Sequence, residues 1–167
     1  MFPSTSYTLS PSPLGKLTLT ADSSGLTGVY YEDHWHPPAE DLTSAGGSSP
    51  ALAETLDWLA TFFGSGIRKS LPTYTFASGT AFQKRVWSAL AKIPDGETCT
   101  YGQIAEQVGS PKAVRAVGAA IGRNPISILI PCHRVIGSDG SLTGYAGGLK
   151  RKKWLLEHEK VLLPLQV

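Results

Sequence analysis

The chain contains little sulfur and no long apolar run. Its 167 residues include two cysteines, Cys99 and Cys132, and one methionine. No stretch approaches the roughly 18 apolar residues that a membrane-spanning helix requires, so we expect no membrane span. The first residues lack a basic region followed by an apolar core, so we expect no secretory signal. Together these absences predict a cytoplasmic protein with two free thiols, because disulfides are rare in reducing compartments.

The net charge of +2 conceals an asymmetry between the two halves of the chain. Residues 1–78 carry three basic and seven acidic side chains, a balance of −4, whereas residues 79–167 carry twelve basic and six acidic ones, a balance of +6. A polyanion would therefore bind the second half. Charge alone leaves open the alternative of a basic surface that serves only solubility.

The first half reads as strands followed by a helix. Alternating patterns over residues 7–10, 16–20 and 26–31 predict a small antiparallel meander. Residues 33–50 are rich in Pro, Gly, Ser and Ala and predict a loop. A helix is predicted to begin at Ser49 and Pro50 and to run to about Phe63. Its predicted buried face consists of Leu52, Leu56, Leu59 and Phe63.

No metal or cofactor site is expected. His34 and His36 lie two residues apart with no cysteine nearby, which is a weak signal for a metal site. Residues 1–78 contain no cysteine at all. We therefore predict no zinc site in this half and no metal or bound cofactor in the protein as a whole.

The second half reads mainly as helices. A helix capped by Thr80 is predicted to run to about Lys92, with an apolar face of Phe82, Val86, Trp87 and Leu90. Residues 98–100 read as extended, and helices follow over 101–108, 112–123 and 149–159. Two short helices joined by a glycine-containing turn, the second of them basic, predict a helix-turn-helix, although many helical hairpins do not touch DNA. Residues 150–153 place four basic side chains at a helix N-terminus, against the macrodipole, which favours phosphate contact.

Cys132 is the candidate nucleophile. The apolar run 126–130 predicts buried chain that leads to this cysteine, and Pro131 places a rigid break directly before it. His133 and Arg134 follow at once, and a neighbouring imidazole or cation favours the nucleophilic thiolate. The alternative is a small structural core residue, because free cysteine is among the most buried residue types.

Several ordered motifs resemble those of the O6-alkylguanine-DNA alkyltransferases, also called methylated-DNA–protein-cysteine methyltransferases. The signature Ile-Pro-Cys-His-Arg-Val over 130–135 resembles the active-site motif of that family. The resemblance extends through residues 94–97, 100–105, 113–118, 123–125 and 144–148, and it covers residues 79–160 closely. Several motifs in matching order and spacing make a specific signal.

The resemblance implies a fold and an organisation. It implies an α/β protein in which a small antiparallel sheet plus helix (ribonuclease H-like), residues 1–78, packs on a mainly helical domain, residues 79–167. The second domain would carry a winged helix-turn-helix for DNA binding and alkyl transfer.

The resemblance also implies a reaction. The expected activity is direct-reversal DNA repair, in which the alkyl group of O6-alkylguanine in duplex DNA is transferred irreversibly to Cys132 after nucleotide flipping. The protein would approach the minor groove, act once per molecule and function as a monomer. Reaction with O4-alkylthymine, the range of alkyl groups and cooperative assembly on DNA stay open.

Roles for single residues follow from the same resemblance. Cys132 would attack the alkyl carbon, His133 would draw off the thiol proton through a water to Glu159, and Asn124 would brace the turn before the cysteine loop. The substrate-binding residues would be Tyr101, Val135, Tyr145 and Ala146. The DNA-binding residues would be Arg115, which enters the base stack, with Ala113, Lys112, Arg123, Lys150 and Lys152.

Two other functions remain as alternatives at this point. One is a helix-turn-helix DNA-binding protein in which Cys132 is structural. The other is a cysteine hydrolase that acts on small amides or esters. A hydrolase would turn over and would not need the basic helix pair, whereas a pure binder would leave the alkyl group on DNA.

Overall fold

The computed structural model describes residues 5–38, 42 and 47–161. The chain forms two compact units, Met1–Ala77 and Ser78–Val167. Part of the predicted loop over 33–50, namely residues 39–41 and 43–46, lies outside the described residues. Among the helices that the structure describes, none has the length and apolarity to cross a membrane.

The first unit contains a three-stranded antiparallel sheet and one helix. The strands are β1 (Ser6–Ser10), β2 (Leu17–Asp22) and β3 (Gly25–Tyr31), in the order β1-β2-β3. The turn between β2 and β3 needs glycine, because Gly25 has φ +132 and a Cβ there would lie 2.6 Å from the Thr73 carbonyl oxygen. Helix α1 (Pro50–Ser65) begins at the cap Ser49, whose side chain accepts the Leu52 N–H. The predicted meander and helix are therefore confirmed.

The buried face of α1 differs from the predicted one. Its buried residues are Ala51, Leu52, Thr55, Trp58, Leu59 and Phe62. Leu56 is 37% exposed and Phe63 is half-buried, so the predicted places of these two residues in the core are wrong. The indole of Trp58 stacks on Phe62 at 5.3 Å and donates to the Lys69 carbonyl. The buried face is therefore centred on Trp58 and Phe62, which a prediction based mainly on leucines missed.

The second unit is mainly helical. It contains α2 (Ala81–Leu90), α3 (Tyr101–Gln107), α4 (Val114–Gly122) and α5 (Leu149–His158). Thr80 caps α2 through a reciprocal hydrogen-bond pair with Gln83, as the sequence predicts for Thr80. The Trp87 indole N–H donates to the Ala120 carbonyl at 2.7 Å, which fixes α2 against α4.

Two short strands position the end of the cysteine segment. β4 (Cys99–Thr100) pairs in parallel with β5 (Val135–Ile136), with Cys99 opposite Val135. A 3₁₀ turn, Cys132–Arg134, lies directly before β5. Helix α4 begins at Val114, two residues later than predicted, so Lys112 and Ala113 belong to the connection from α3. The α/β class with a small antiparallel sheet is confirmed.

Candidate active site

The segment that leads to Cys132 is buried but irregular. Ile126, Ile128 and Ile130 are fully buried, as predicted. The Leu129 N–H donates to the Ser127 carbonyl at 2.8 Å across Ile128, whose φ is +72. This γ-turn with a positive φ at a β-branched residue is a rare and strained geometry. The surrounding contacts must therefore hold it in place.

A second γ-turn presents the cysteine itself. Pro131 has φ −81 and ψ 63, and the Cys132 N–H donates across it to the Ile130 carbonyl at 2.7 Å. These angles are those of the relaxed inverse γ-turn, which the fixed φ of proline suits. The rigid break predicted at Pro131 is therefore confirmed.

Asn124 hydrogen-bonds the segment 126–130 from the interior of the protein. Its side-chain amide donates to the Ile130 carbonyl at 2.9 Å and to the Ile126 carbonyl at 3.3 Å, and its Oδ1 accepts the Ile126 N–H at 3.1 Å. The residue is 2% exposed. The same side chain also hydrogen-bonds the Cys132 thiol and acts to lower its pKa. Asn124 thus braces the loop and contacts the sulfur.

The Cys132 thiol is buried, with 4% of the residue exposed. Burial raises the pKa of this thiol, and the Asn124 hydrogen bond and the charge of Lys152 offset that rise only in part. Burial therefore opposes the thiolate that the neighbouring His133 and Arg134 were expected to favour. A raised pKa favours the protonated thiol at neutral pH, so a base must remove the proton before the sulfur can act as a nucleophile.

His133 and Glu159 form a direct pair. The His133 Nε2 lies 2.8 Å from Glu159 Oε1, and the two side chains are 0% and 3% exposed. The two groups are in direct hydrogen-bond contact, and not linked through a water as expected. Burial acts to raise the pKa of Glu159, but the hydrogen bonds and charges of His133 and Arg134 lower it to about 2. An anionic carboxylate on Nε2 fixes a proton there and leaves Nδ1 as the basic nitrogen.

The Arg134 guanidinium hydrogen-bonds the Glu159 carboxylate, whereas the sequence suggested that it would act on the Cys132 thiol. Its Nε donates to Glu159 Oε2 at 2.8 Å, and its two terminal nitrogens donate to the Ile93 carbonyl at 2.8 Å and to Asp95 at 3.1 Å. The side chain is 1% exposed. The sequence placed Arg134 beside Cys132, but its guanidinium is directed to the end of α5 and to the turn after α2.

Lys152 is not a DNA contact. The residue is fully buried, and its ammonium donates to the carbonyls of Val135 at 2.5 Å, Thr143 at 2.8 Å and Gly144 at 3.1 Å. A side chain with its charge enclosed in this way cannot reach a phosphate, so the predicted role is wrong. The basic run 150–153 at the N-terminus of α5 predicted phosphate contact at the surface, but Lys152 of this run is buried.

The other predicted substrate-binding residues lie around the same carbonyls. The Tyr101 hydroxyl donates to the Thr143 carbonyl at 2.9 Å, which Lys152 also contacts. Tyr145 and Ala146 follow in the chain and are 6% and 7% exposed. The Lys152 ammonium therefore links Val135 to Thr143 and Gly144, and the Tyr101 hydroxyl shares the Thr143 carbonyl with it.

The predicted DNA-binding residues of α4 lie on its exposed side. Arg115 and Arg123 are exposed, as are Ala116 and Ala119 between them. Residues four apart on a helix share a face, so Arg115, Ala119 and Arg123 form one stripe of small and basic side chains. Gly118 lies beside Tyr101, since a Cβ there would be 3.8 Å from its ring. Lys112 and Lys150 are exposed and Ala113 is half-buried.

Metal-ligating side chains do not gather in the described part of the chain, where no group of three or more His, Cys, Asp or Glu could hold an ion. His34 instead stacks on Tyr31, with ring centroids 6.0 Å apart, and is 7% exposed. An aromatic cluster thus accounts for the buried position of this histidine.

Residues 81–161 match the family described as 6-O-methylguanine DNA methyltransferase, DNA binding domain. A methylated-DNA–protein-cysteine methyltransferase of Mycobacterium bovis is 46% identical over 159 residues, which cover 95% of this chain and 94% of the relative. The protein of the same name from Shigella flexneri is 55% identical over 122 residues, 72% of this chain and 67% of that one.

A solved structure agrees with the sequence matches. The crystal structure of Mycobacterium tuberculosis OGT in complex with DNA superposes with a TM-score of 0.84 at 45% sequence identity. The match covers 92% of each chain. The similarity therefore extends over both compact units and is not confined to the cysteine segment.

Proposed function

The chain belongs to the methylated-DNA–protein-cysteine methyltransferase family, and from that premise we propose that it transfers alkyl groups from O6-alkylguanine in duplex DNA to Cys132. The protein is a DNA alkyltransferase of direct-reversal repair. The observation that carries the assignment of the acceptor is the buried Cys132 next to the His133–Glu159 pair. That arrangement supplies a nucleophile, a base and the group that orients the base.

The proton transfer begins the proposed reaction. Glu159 holds the Nε2 proton of His133, so His133 Nδ1 accepts the thiol proton, directly or through one water. The resulting imidazolium is stabilised by the Glu159 carboxylate, whose low pKa keeps it ionised. Arg134 holds the second oxygen of that carboxylate at 2.8 Å and so fixes its orientation.

The alkyl transfer is a displacement at carbon. The Cys132 sulfur forms a bond to the alkyl carbon, the bond from that carbon to guanine O6 breaks, and the electron pair leaves with the guanine. The proton that His133 took from the thiol then passes to the departing guanine. The products are therefore unmodified guanine and a thioether on Cys132. A thioether is not hydrolysed under these conditions, so each molecule reacts once.

The burial of Cys132 requires the damaged nucleotide to leave the duplex. A base within the stack cannot reach a thiol that is 4% exposed, so the nucleotide must rotate into the pocket. We assign the flipped guanine to Tyr101, Val135, Tyr145 and Ala146. The Mycobacterium tuberculosis relative was crystallised with DNA, which supports DNA as the partner.

The surface of α4 fits a minor-groove approach. Its exposed small residues let the helix backbone come close to DNA, and Arg115 can extend from that face into the space left by the flipped nucleotide. We propose that α3 and α4 form the helix-turn-helix of a winged fold and that Met1–Ala77 forms a ribonuclease H-like supporting domain. Ala113, Lys112, Arg123 and Lys150 would contact the backbone of the DNA.

Intact-mass measurement tests the proposal directly. The protein is incubated with duplex DNA that carries one O6-methylguanine, and its mass is recorded before and after. A gain of one methyl group per molecule, located on the Cys132 peptide and stopping at one equivalent, supports the proposal. An unchanged mass with bound DNA would indicate a pure binder, and continuing turnover of an ester would indicate a hydrolase.

A further inference from the structure

Arg134 lies buried among the groups that handle the thiol proton. Its side chain is 1% exposed, and its Nε donates to Glu159 Oε2 at 2.8 Å. The other oxygen of the same carboxylate lies 2.8 Å from His133 Nε2. The side chains of His133 and Glu159 are 0% and 3% exposed. A guanidinium, a carboxylate and an imidazole therefore share a site that is closed to solvent, so their charges act on one another with little screening.

The protonation of His133 decides the net charge of this group. Arginine stays protonated in proteins, and the Glu159 carboxyl, whose pKa is lowered to about 2, is ionised at neutral pH. With a neutral imidazole, the charges of Arg134 and Glu159 cancel. With an imidazolium, the group has a net positive charge. Because a net charge in the interior is costly, the guanidinium favours the neutral imidazole.

Without the guanidinium, this balance is reversed. Glu159 would then face His133 alone, and a neutral imidazole would leave the pair with a net negative charge. Binding of one proton would make the pair neutral, so the imidazole would be charged at rest. A charged imidazole cannot accept the Cys132 proton. Glu159 alone would thus orient His133 and at the same time remove it as a base.

Other titratable groups face this site from three elements. Asp95, in the turn after α2, pairs with the Arg134 guanidinium at 3.1 Å, but its side chain is 67% exposed, so solvent weakens its effect on the buried charge. Cys132, in the 3₁₀ turn of His133, adds no charge while its thiol is protonated. Lys152 of α5 acts on Cys132 with a positive charge, which also disfavours a second cation nearby. These groups leave the sign of the balance unchanged.

We propose that Arg134 is a positioning residue that keeps His133 neutral at rest, so that the imidazole can accept the Cys132 proton once the substrate is bound. The guanidinium acts through Glu159, whose charge it offsets. This inference rests on the proposed function and goes beyond the orientation of the carboxylate. An arginine that only held Glu159 in place would affect stability, but it would not set the protonation state of the imidazole.

Nitrogen-15 NMR of the wild-type protein, labelled at its four histidines, gives the first test. The ring nitrogens of a neutral imidazole and of an imidazolium resonate at different shifts, and the signals of His133 are assigned by their loss in His133→Gln. Wild-type His133 should be neutral at pH 7, with its proton on Nε2. An imidazolium at pH 7 would overturn the proposal.

The second test compares Arg134→Met, Arg134→Lys and the control Arg85→Met, which removes the same charge from an exposed position in α2. The titration of His133 is followed by the same NMR signals from pH 5 to pH 10. Single-turnover transfer from free O6-benzylguanine is measured over the same range, so that DNA contacts do not enter the rate. Thermal melting is recorded for every variant.

Arg134→Met should raise the titration midpoint of His133 by about two pH units, since a charge within roughly 4–6 Å shifts a pKa by about one to three units. The acidic limb of the pH–rate profile should move upward with it, and the rate at pH 7 should fall by about tenfold. Arg134→Lys keeps a cation and should return the midpoint to within about one unit of wild type. Arg85→Met should match wild type. A lower melting temperature with an unchanged His133 midpoint in Arg134→Met would overturn the proposal.

A double substitution covers the case in which Arg134→Met does not fold. Arg134→Met combined with Glu159→Gln leaves no lone carboxylate in the interior, and it is compared with Glu159→Gln alone. The His133 midpoint should be higher in the double variant by about one pH unit or more, because only the single variant keeps the guanidinium. Equal midpoints would refute the proposal. Failure of the proposed function is distinguishable, because wild type would then gain no alkyl group, whereas the titration of His133 requires no substrate.

Discussion

Replacement of Glu159 by Gln removes one charge from the centre of the buried network. Glu159 Oε1 and Oε2 accept from His133 and Arg134, both at 2.8 Å. Glutamine keeps the shape of the side chain, but one of its two terminal groups is an N–H donor that faces another donor. The substitution therefore breaks one hydrogen bond and leaves Asp95, whose side chain is 67% exposed, as the carboxylate that pairs with the buried guanidinium.

The cost follows from the pKa of the carboxyl. A fall from 4.5 to about 2 in the folded protein corresponds to about 3 kcal/mol of stabilisation at pH 7. Because the folded pKa is depressed, this stabilisation is complete above the unfolded pKa and is lost as the pH falls toward 2. We expect Glu159→Gln to lower the free energy of unfolding by about 3 kcal/mol at pH 7 and by roughly half as much at pH 3.

The same substitution should slow the reaction. Without the carboxylate, His133 is neither oriented nor stabilised as an imidazolium, so the alkyl-transfer rate at neutral pH should fall by about 100-fold. The apparent thiol pKa in the pH–rate profile should rise. The assays are urea unfolding at the two pH values and single-turnover transfer from O6-benzylguanine.

Glu157→Gln is the matched control for Glu159→Gln. Glu157 lies in α5, two residues before Glu159, but its side chain is 53% exposed and lies 3.8 Å from the partly exposed Lys153 ammonium. We expect this control to change stability by less than about 0.5 kcal/mol and to leave the rate unaltered. An unchanged pH–rate profile in Glu159→Gln, with normal stability, would remove Glu159 from the mechanism.

Three further substitutions test other parts of the proposal. Cys132→Ala should abolish transfer to the protein while DNA binding persists, and gel-shift and mass measurements check both; transfer to Cys99 instead would contradict the assignment. Arg115→Ala should slow repair of duplex DNA by about 10- to 1000-fold, since unstacking a base costs a few kcal/mol, yet barely affect free O6-benzylguanine. Equal losses on both substrates would make Arg115 a structural residue. Replacement of Lys150 and Lys153 together by Gln should weaken binding to every DNA sequence and flatten its salt dependence, and an unchanged salt slope would exclude phosphate contact.

Local patterns in the sequence predicted the elements well. Alternation over short runs, the Thr80 cap and the glycine-bearing turns each act over a few residues, so strands and helices fell within two or three residues of their observed bounds. The position of Cys132 after a buried run is equally local. The predicted face of α1 was partly wrong because Trp58 and Phe62, at 2% and 0% exposure, lie in the core whereas Leu56 does not, and a choice based on leucines alone could not show this.

The chemistry of the site was less predictable because it depends on residues far apart in the chain. Sequence proximity suggested that Arg134 acts on Cys132, yet its guanidinium contacts Glu159, 25 positions away. Lys152 belonged to a basic run that resembled a phosphate-binding surface, and only folding places its ammonium among three carbonyls. The γ-turn at Ile128 carries no sequence signal either, since isoleucine rarely adopts a positive φ.

The burial of Cys132 links reactivity to selectivity. Burial raises the pKa of the thiol, which protects a single-use nucleophile from soluble electrophiles because the resting sulfur is neutral and covered. The same burial excludes any base that remains stacked in the duplex. In the proposed mechanism, His133 and Glu159 recover the lost reactivity by removing the proton within the pocket. A more exposed and more acidic thiol would react faster in isolation but would be consumed by reagents other than damaged DNA, and a protein that acts once cannot recover from that loss.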